Sequence, residues 1–272
     1  MNYNLNKKYA IERTFHDEWA KSIKSKDINF RMAFKAETAI ENRFALSQMP
    51  ELKGKRILDL GCGMGDASLF FASQGARVCS IDISPGMISL VKKMSTKFQF
   101  GKNIDARVMV AEKLEFPNEH FDIVFGNGVL HHVIPSLALK EVYRVLKPGG
   151  VATFIEPLRH NPIINIYRKV ADKVRTPTEK PLDYYSLTKL TKEKFRINFH
   201  EEFHLFTLLI FIKFLLIDGV NPNKERYWKK IIDDEKKIKR EFHFLHDIDN
   251  FIFRWFKSIR KYAWNTVIVY IK

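Results

Sequence analysis

The sequence predicts an α/β protein with a mainly parallel β-sheet covered by helices on both faces. Between residues 56 and 156, short apolar stretches of strand length alternate with longer stretches of helical periodicity. Glycines and prolines punctuate the junctions between them. Alternation of this kind is typical of parallel strands connected by helices. With 272 residues, 46% of them hydrophobic, the chain is long and apolar enough to bury a substantial core.

The individual elements follow from these stretches and from their end signals. Gly75 ends the first helix at the position where glycine is favoured, and Ser84 with Pro85 begins the second. A turn is expected at 147–150, where Lys-Pro-Gly-Gly follows the third helix. The predicted strands are 56–60, 77–81, 106–110, 121–125 and 151–156, and the predicted helices are 66–74, 85–97 and 137–146.

Outside this central part the pattern changes. Residues 1–50 and 206–262 are predicted to be mainly helical, and 196–204 and 264–271 have the composition of strands. The segment 158–185 contains three prolines and no clear strand pattern.

Composition limits the location and partners of the protein. Two cysteines without metal-ligand spacing, together with a polar N-terminal stretch, indicate a reducing compartment, and we expect the cytoplasm. The longest apolar run, 205–217, is too short to span a bilayer.

The net charge is +15, and 24 basic against 14 acidic residues follow Pro157. Aromatic and basic residues lie together at 251–261, which favours peripheral association with the inner face of an anionic membrane. A helical cap of this kind could also fold over a lipid-like or hydrophobic acceptor. A packed helical cap or a dimer interface is the plainer interpretation.

The main chemical signal is a glycine-rich turn at 57–65, Ile-Leu-Asp-Leu-Gly-Cys-Gly-Met-Gly, between a predicted strand and a helix. Glycines let a ligand approach the backbone, and the helix N-terminus presents free N–H groups to it. Asp82 ends the next strand, where a carboxylate can hold the hydroxyls of a ribose. These residues alone are compatible with either a dinucleotide oxidoreductase or a methyltransferase.

Further motifs separate the two possibilities. They are Ile-Asp-Ile-Ser-Pro-Gly-Met at 81–87, Ala-Glu-Lys-Leu-Glu-Phe at 111–116, Phe-Asp-Ile-Val at 121–124, Leu-His-His-Val at 130–133 and Arg-Val-Leu-Lys-Pro-Gly-Gly at 144–150. In order and spacing, residues 53–157 resemble the class I S-adenosylmethionine methyltransferases, especially the branch that acts on small molecules.

The resemblance implies a Rossmann-like sheet of seven strands and an enzymatic activity. The expected cofactor is S-adenosylmethionine, with S-adenosylhomocysteine as product. The expected acceptor is an oxygen or nitrogen of a small-molecule, lipid-like, phosphorylated or glycoconjugate-precursor compound. The expected domains are an N-terminal helical lid (1–50), the methyltransferase domain (51–205 and 263–272) and a helical cap (206–262) inserted before the last strand.

The resemblance also implies a set of cofactor-binding residues. Gly61 and Gly63 would approach the methionine moiety, Asp59 its ammonium group and Asp82 the ribose. Contacts with the adenine, or with the floor beside the sulfonium, are expected from Ile83, Met87, Ala111, Glu112, Asn127 and Val129. Many relatives carry an acid where this chain has Val110, so either Glu112 or water and backbone groups would hold the adenine amine.

Catalytic and acceptor-binding residues are expected at the carboxyl edge of the sheet, where such folds bind ligands. A general base is expected if the acceptor is a hydroxyl. Its candidates are His131, Glu156 and His160. Arg168 and Arg175 are candidates for a clamp on a phosphate, phosphonate or carboxylate. The other expected acceptor contacts are His16, Trp19, Asn161 and Tyr167.

Two other classes of function remain open. The positive charge is compatible with an RNA or DNA methyltransferase. However, residues 127–130 read Asn-Gly-Val-Leu, where enzymes that methylate exocyclic base amines usually carry an Asn/Asp-Pro-Pro-aromatic motif. The third possibility is a cofactor-binding protein without catalytic activity, since a fold alone does not fix a reaction. No clustered acids indicate a metal site, and no metal is expected.

Overall fold

The computed structural model describes residues 2–24, 28–191 and 195–272, and the expected lid at 1–50 therefore falls partly outside the described residues. The seven strands are β1 Arg56–Leu60, β2 Arg77–Asp82, β3 Ile104–Val108, β4 Phe121–Asn127, β5 Leu146–Pro157, β6 Arg196–Phe203 and β7 Asn265–Ile271. The first seven helices are α1 Asn2–Ser22, α2 Phe30–Lys35, α3 Ile40–Ser47, α4 Asp66–Ser73, α5 Pro85–Lys97, α6 Pro135–Val145 and α7 Pro162–Val170. They are followed by α8 Ser186–Thr191, α9 Leu209–Leu216, α10 Tyr227–Asp233 and α11 Glu235–Trp255, with 3-10 turns at Asp172–Val174 and Lys257–Tyr262.

The strands form one sheet in the order β3-β2-β1-β4-β5-β7-β6. The first five strands pair in parallel, and β7 pairs antiparallel with both β5 and β6. The predicted fold, a Rossmann-like and mostly parallel sheet of seven strands, is confirmed. Strands β1 and β4 are buried along nearly their whole length, because helices cover both faces of the sheet.

Several predicted boundaries were wrong. The third helix begins at Pro135 rather than 137, and the fourth strand ends at Asn127 rather than 125. The third strand lies at Ile104–Val108 rather than 106–110, since Asp82 pairs with Val108 at the carboxyl end of the ladder. The fifth strand begins at Leu146, because that residue already pairs with Phe121. The turn expected at 147–150 is therefore an irregularity within this strand, where the register with β4 shifts.

The N-terminal helices lie against the carboxyl edge of the sheet. Phe34 of α2 stacks on Phe70 of α4 with ring centroids 4.4 Å apart, and it also contacts Phe125 of β4. Asp17 of α1 accepts hydrogen bonds from the Ser84 hydroxyl and the Gly86 backbone, at 2.5 and 2.8 Å. These contacts hold the helices over the loops that follow β1 and β2, where the sequence predicts the cofactor site.

The segment from 206 to 262, predicted to be mainly helical, forms three helices and a 3-10 turn. Ile210, Phe211 and Phe214 of α9 are buried in the same core as Tyr227 of α10 and Phe242 of α11. In the described part of the chain, no helix is both long enough and apolar enough to cross a lipid bilayer.

Candidate active site

A cavity of about 390 Å³ lies at the carboxyl ends of the parallel strands. Its wall is formed by α1, by the loops after β1, β2 and β4, and by the segment after β5. Residue 226 and α10 complete the wall. Ligands bind at this edge in doubly wound folds because the loops there face one another.

The loop after β1 forms one wall of the cavity. Gly61, Gly63 and Gly65 have φ values of 69°, 49° and 87°, a region that residues with a side chain rarely adopt. A Cβ at Gly61 would lie 2.7 Å from Cγ2 of Val129, whereas at Gly63 nothing lies within 4 Å. The loop therefore needs glycine at 61 to pass Val129, and it leaves open space beside Gly63.

Asp82 ends β2 and lies beside the glycine loop. Its carboxylate accepts the backbone N–H groups of Gly63 at 3.0 Å and of Ser84 at 2.9 Å. Burial raises the pKa of this carboxyl group, against the opposing effects of His16 and of these N–H donors. The hydrogen bonds fix the carboxylate on the cavity wall, in the position from which a ribose can be bound.

Asp59, at the end of β1, is almost fully buried and also lines the cavity. The Ser68 hydroxyl donates to it at 2.5 Å, and burial raises its pKa to about 7. A carboxylate this desolvated has much to gain from a cationic ligand group such as an ammonium.

Of the other predicted cofactor residues, Met87 lies outside the cavity wall and the rest line it. Met87 is fully buried and is not part of the cavity wall. Within the wall, Glu112 accepts the Ile134 backbone N–H at 3.0 Å, and the Asn127 amide donates to Asn42 at 3.1 Å. The predicted cofactor residues that do line the cavity are Asp59, Gly61, Gly63, Asp82, Ile83, Ala111, Glu112, Asn127 and Val129.

His131 and Glu156 form a buried pair, with 2.9 Å between Nδ1 and Oε2. Glu156 has no exposed surface and is not part of the cavity wall, whereas His131 lines the cavity. Burial lowers the pKa of His131 to about 3 and raises that of Glu156 to about 7. The imidazole is therefore neutral at physiological pH. A proton on Nδ1, shared with Glu156, leaves Nε2 as the ring nitrogen that can accept another.

His160 and Asn161, predicted beside the cavity, do not line it. Nε2 of His160 lies 3.1 Å from Oδ2 of Asp183, which also pairs with Arg159. Asn161 is the N-cap of α7: its side chain accepts the backbone N–H groups of Ile163 and Ile164. An Asn before Pro is a common helix start, so the sequence already contained this signal.

The cavity wall also contains a hydrogen-bond network that the sequence did not reveal. Glu12 of α1 lies with Oε2 3.0 Å from Nδ1 of His132, and Oε1 accepts the hydroxyls of Thr176 and Thr178. Burial alone would raise the pKa of Glu12, but hydrogen bonds to His132 and His16 outweigh it and hold the pKa well below its usual range. The network ties α1 to the loops after β4 and α7.

The described residues include two groups whose ligand atoms have spacing suitable for a metal ion. They are Glu12, His16 and His132, and His131, His132 and Glu179, with the atoms of each group within 4.8 Å of one another. The sequence gave no sign of such clusters, because their members come from distant segments. Glu12 already receives hydrogen bonds at both oxygens from protein groups.

Three arginines reach the same cavity from separate segments: Arg168 of α7, Arg175 after the 3-10 turn and Arg226 before α10. The first two were predicted, as were Tyr167, His16 and Trp19, which also line the cavity. Arg226 was missed. Its guanidinium carbon lies 3.7 Å from the ring centroid of Trp19, a cation–π contact between α10 and α1.

Comparison with known proteins agrees with this geometry. Residues 58–154 match the family model described as a methyltransferase domain. The ubiquinone/menaquinone biosynthesis C-methyltransferase UbiE of Geotalea daltonii is 34% identical over 118 residues, which are 42% of this chain and 50% of that protein. The ubiquinone biosynthesis O-methyltransferase of Pseudomonas fluorescens is 36% identical over 120 residues, covering 43% and 50%. The chain thus spans about half the length of the curated relatives it matches.

Among solved structures, the fold is similar to geranyl diphosphate C-methyltransferase from Streptomyces coelicolor A3(2), with a TM-score of 0.61. That structure contains Mg²⁺, geranyl diphosphate and S-adenosyl-L-homocysteine. The match covers 86% of this chain and 77% of that one at 12% identity, a likeness that concerns the fold.

Proposed function

We propose that this protein transfers a methyl group from S-adenosylmethionine to a small-molecule acceptor. The observation that carries the proposal is the pairing of Asp82 with the Gly63 N–H on the wall of the cavity, within a segment that matches a methyltransferase domain. When bound, the cofactor supplies an electrophilic methyl group on a sulfonium.

The residues present fit this cofactor. Asp82 would hold the ribose hydroxyls, and the open space beside Gly63 would admit the chain that joins the ribose to the methionine. Asp59 would hold the ammonium group, which offsets the burial of its carboxylate. Ile83, Ala111 and Glu112 would surround the adenine, and Val129 would form the floor near the sulfonium.

His131 would act as the base for the acceptor. Methyl transfer is an in-line displacement in which the protein chiefly positions the two reactants, and a hydroxyl acceptor also has to lose a proton. The lowered pKa keeps the ring neutral but also makes it a weak base, so Glu156 on Nδ1 would have to stabilise the ring when Nε2 takes a proton. Nε2 would accept the acceptor proton during methyl transfer. This arrangement suits a hydroxyl acceptor, and therefore methylation at oxygen.

Calorimetric titration with S-adenosylmethionine tests the proposal. We expect micromolar binding by the wild type, a large loss of affinity in Asp82→Ala, and unchanged binding in Asp105→Ala. Asp105 is a matched control because it lies half-exposed on β3 in a surface pair with Arg107. Absence of binding by folded wild-type protein would overturn the proposed function.

We further propose that the end of α11 docks on an anionic membrane surface. Phe251, Trp255 and Phe256 are 61%, 66% and 54% exposed, beside the exposed Arg254 and Lys257. We call these five residues the basic-aromatic patch. Exposed aromatic groups flanked by basic side chains suit the interface of a negatively charged bilayer, where rings insert and cations meet lipid phosphates.

A further inference from the structure

Three largely buried arginines reach the cavity together. Arg168, Arg175 and Arg226 come from three segments far apart in sequence, and all three line the cavity together with His131. Burial lowers the pKa of Arg168 to about 9 and those of Arg175 and Arg226 to about 10. All three guanidinium groups therefore stay charged at neutral pH even though they are largely removed from water.

Protein partners compensate these charges only in part. Nη1 and Nη2 of Arg168 donate to the Asn165 side chain and the Leu158 carbonyl, at 2.8 and 2.9 Å, and its buried Nε has no partner in the described structure. Arg226 stacks on Trp19. A neutral hydrogen-bond acceptor or an aromatic ring face can satisfy the N–H donors of an arginine, but it does not neutralise the positive charge of the guanidinium group.

One carboxylate of the cavity wall, Glu179, pairs with these arginines among the described residues, through Arg175. Two other acids of the wall are engaged elsewhere: Glu12 is held by His132 and the nearby threonines, and Glu41 pairs with His204. The Arg175–Glu179 pair is thus the ion pair that the described residues show for these three guanidinium groups. Burying unpaired charge is unfavourable, and an incoming anion would offset it.

We propose that the methyl acceptor carries an oxyanion group, a phosphate or a carboxylate, that binds between Arg168, Arg175 and Arg226. This inference rests on the proposed function and defines its substrate class. Guanidinium groups hold phosphate and carboxylate oxygens through paired N–H donors. Anchored there, the acceptor extends toward His131, and the anion fixes which of its atoms meets the methyl group.

Arg226 gives the site a second role. Arg226 also stacks on Trp19 of α1. An anion bound to Arg226 would therefore be linked through that contact to α1, the helix whose Glu12 and His16 form part of the cavity wall. Acceptor binding would therefore add to the contacts that hold α1 beside the cavity.

The test is calorimetric titration of the protein saturated with S-adenosylhomocysteine, using inorganic pyrophosphate, inorganic phosphate and benzoate as probes. Arg168→Gln and Arg226→Gln are expected to weaken binding of the preferred probe about 10- to 100-fold. Arg226→Lys should recover part of the loss, because it keeps the charge without the paired donors. Arg77→Gln, exposed at the amino end of β2, is the matched control. Thermal unfolding of each variant checks that it is folded.

The outcomes separate the possibilities. Tighter binding of the phosphate probes identifies a phosphorylated acceptor, and tighter binding of benzoate identifies a carboxylated one. Wild-type protein that binds none of the probes at millimolar concentration, or folded arginine variants that bind them like wild type, would overturn the inference. If S-adenosylhomocysteine fails to bind while a probe binds in an arginine-dependent way, the proposed function is wrong and the oxyanion site stands.

Discussion

His131 of the cavity wall is joined to Glu156, which lies behind it, by a contact of 2.9 Å between Nδ1 and Oε2. The same carboxyl group accepts the backbone N–H groups of Val129 and Leu130, at 2.9 and 2.7 Å. One buried acid at the end of β5 therefore holds both the loop after β4 and the orientation of the imidazole. In the proposed reaction, Glu156 would act through His131, as a positioning residue.

We expect His131→Gln to lower the rate of methyl transfer to a hydroxyl acceptor about 10²- to 10⁴-fold, because the base for the acceptor proton is lost. Affinity for S-adenosylhomocysteine should not change. Initial rates with an acceptor found by screening measure the effect. His120→Gln is the control, since His120 precedes β4 at the opposite edge of the sheet. Wild-type rates in His131→Gln would show that the imidazole does not take the proton.

Cofactor affinity should depend on pH through Asp59. Its carboxyl group has a pKa of about 7 in the free protein because it is buried, and it must be ionised to hold an ammonium. Binding requires loss of that proton, so affinity should fall about tenfold for each unit below pH 7 and level off above it. Titrations with S-adenosylhomocysteine across this range measure the slope. Asp59→Asn should bind weakly with little pH dependence, and a slope that persists in this variant would assign the titration to another group.

Gly61→Ala should both destabilise the fold and weaken cofactor binding. A Cβ at this position would lie 2.7 Å from Val129, and φ is 69°, so we expect a loss of about 1–3 kcal/mol in the free energy of unfolding. Urea denaturation measures it. Gly101→Ala is the control, because a Cβ there meets nothing within 4 Å. Equal stability of the two variants would mean that the loop shifts without strain.

The basic-aromatic patch predicts binding to anionic vesicles. Replacing Trp255 and Phe256 together by Ser should reduce co-sedimentation with phosphatidylserine-containing vesicles roughly tenfold or more, because two rings no longer enter the interface. Leu216→Ser is the control, since Leu216 of α9 is 74% exposed but lies outside the patch. Equal sedimentation of all three proteins, or none by wild type, would contradict membrane docking.

The parts of the structure that could be predicted from the sequence are those that depend on short-range sequence patterns. The strand ladder and the loop after β1 depend on short-range patterns, such as the positive φ values that require glycine at 61 and 63. Asp82 was predictable as well, because a carboxylate at the end of the second strand lies beside that loop whatever the rest of the chain does.

Contacts between segments that lie far apart in the sequence could not be predicted in this way. Glu12 meets His132 across 120 residues and Thr176 across 164, and Arg226 reaches Trp19 from a segment with no strand pattern. Helical periodicity shows which face of α1 is apolar, but it does not say which polar groups that face will meet. For Asn161 the local signal was present and had a simpler meaning, a helix cap.

The position of β7 implies an order of folding. It lies between β5 and β6, and β6 pairs with no other strand in the described sheet. Residues 56–157 can thus assemble five parallel strands, with Asp59, Asp82 and their glycine loop in place, before 265–271 is available. Closing the long loop from β5 to β7 is slower, because its ends are far apart in sequence. In a growing chain, the glycine loop with Asp59 and Asp82 would thus form before the three arginines take their places. If the proposed cofactor binds that loop, its presence during synthesis would stabilise the partly folded chain.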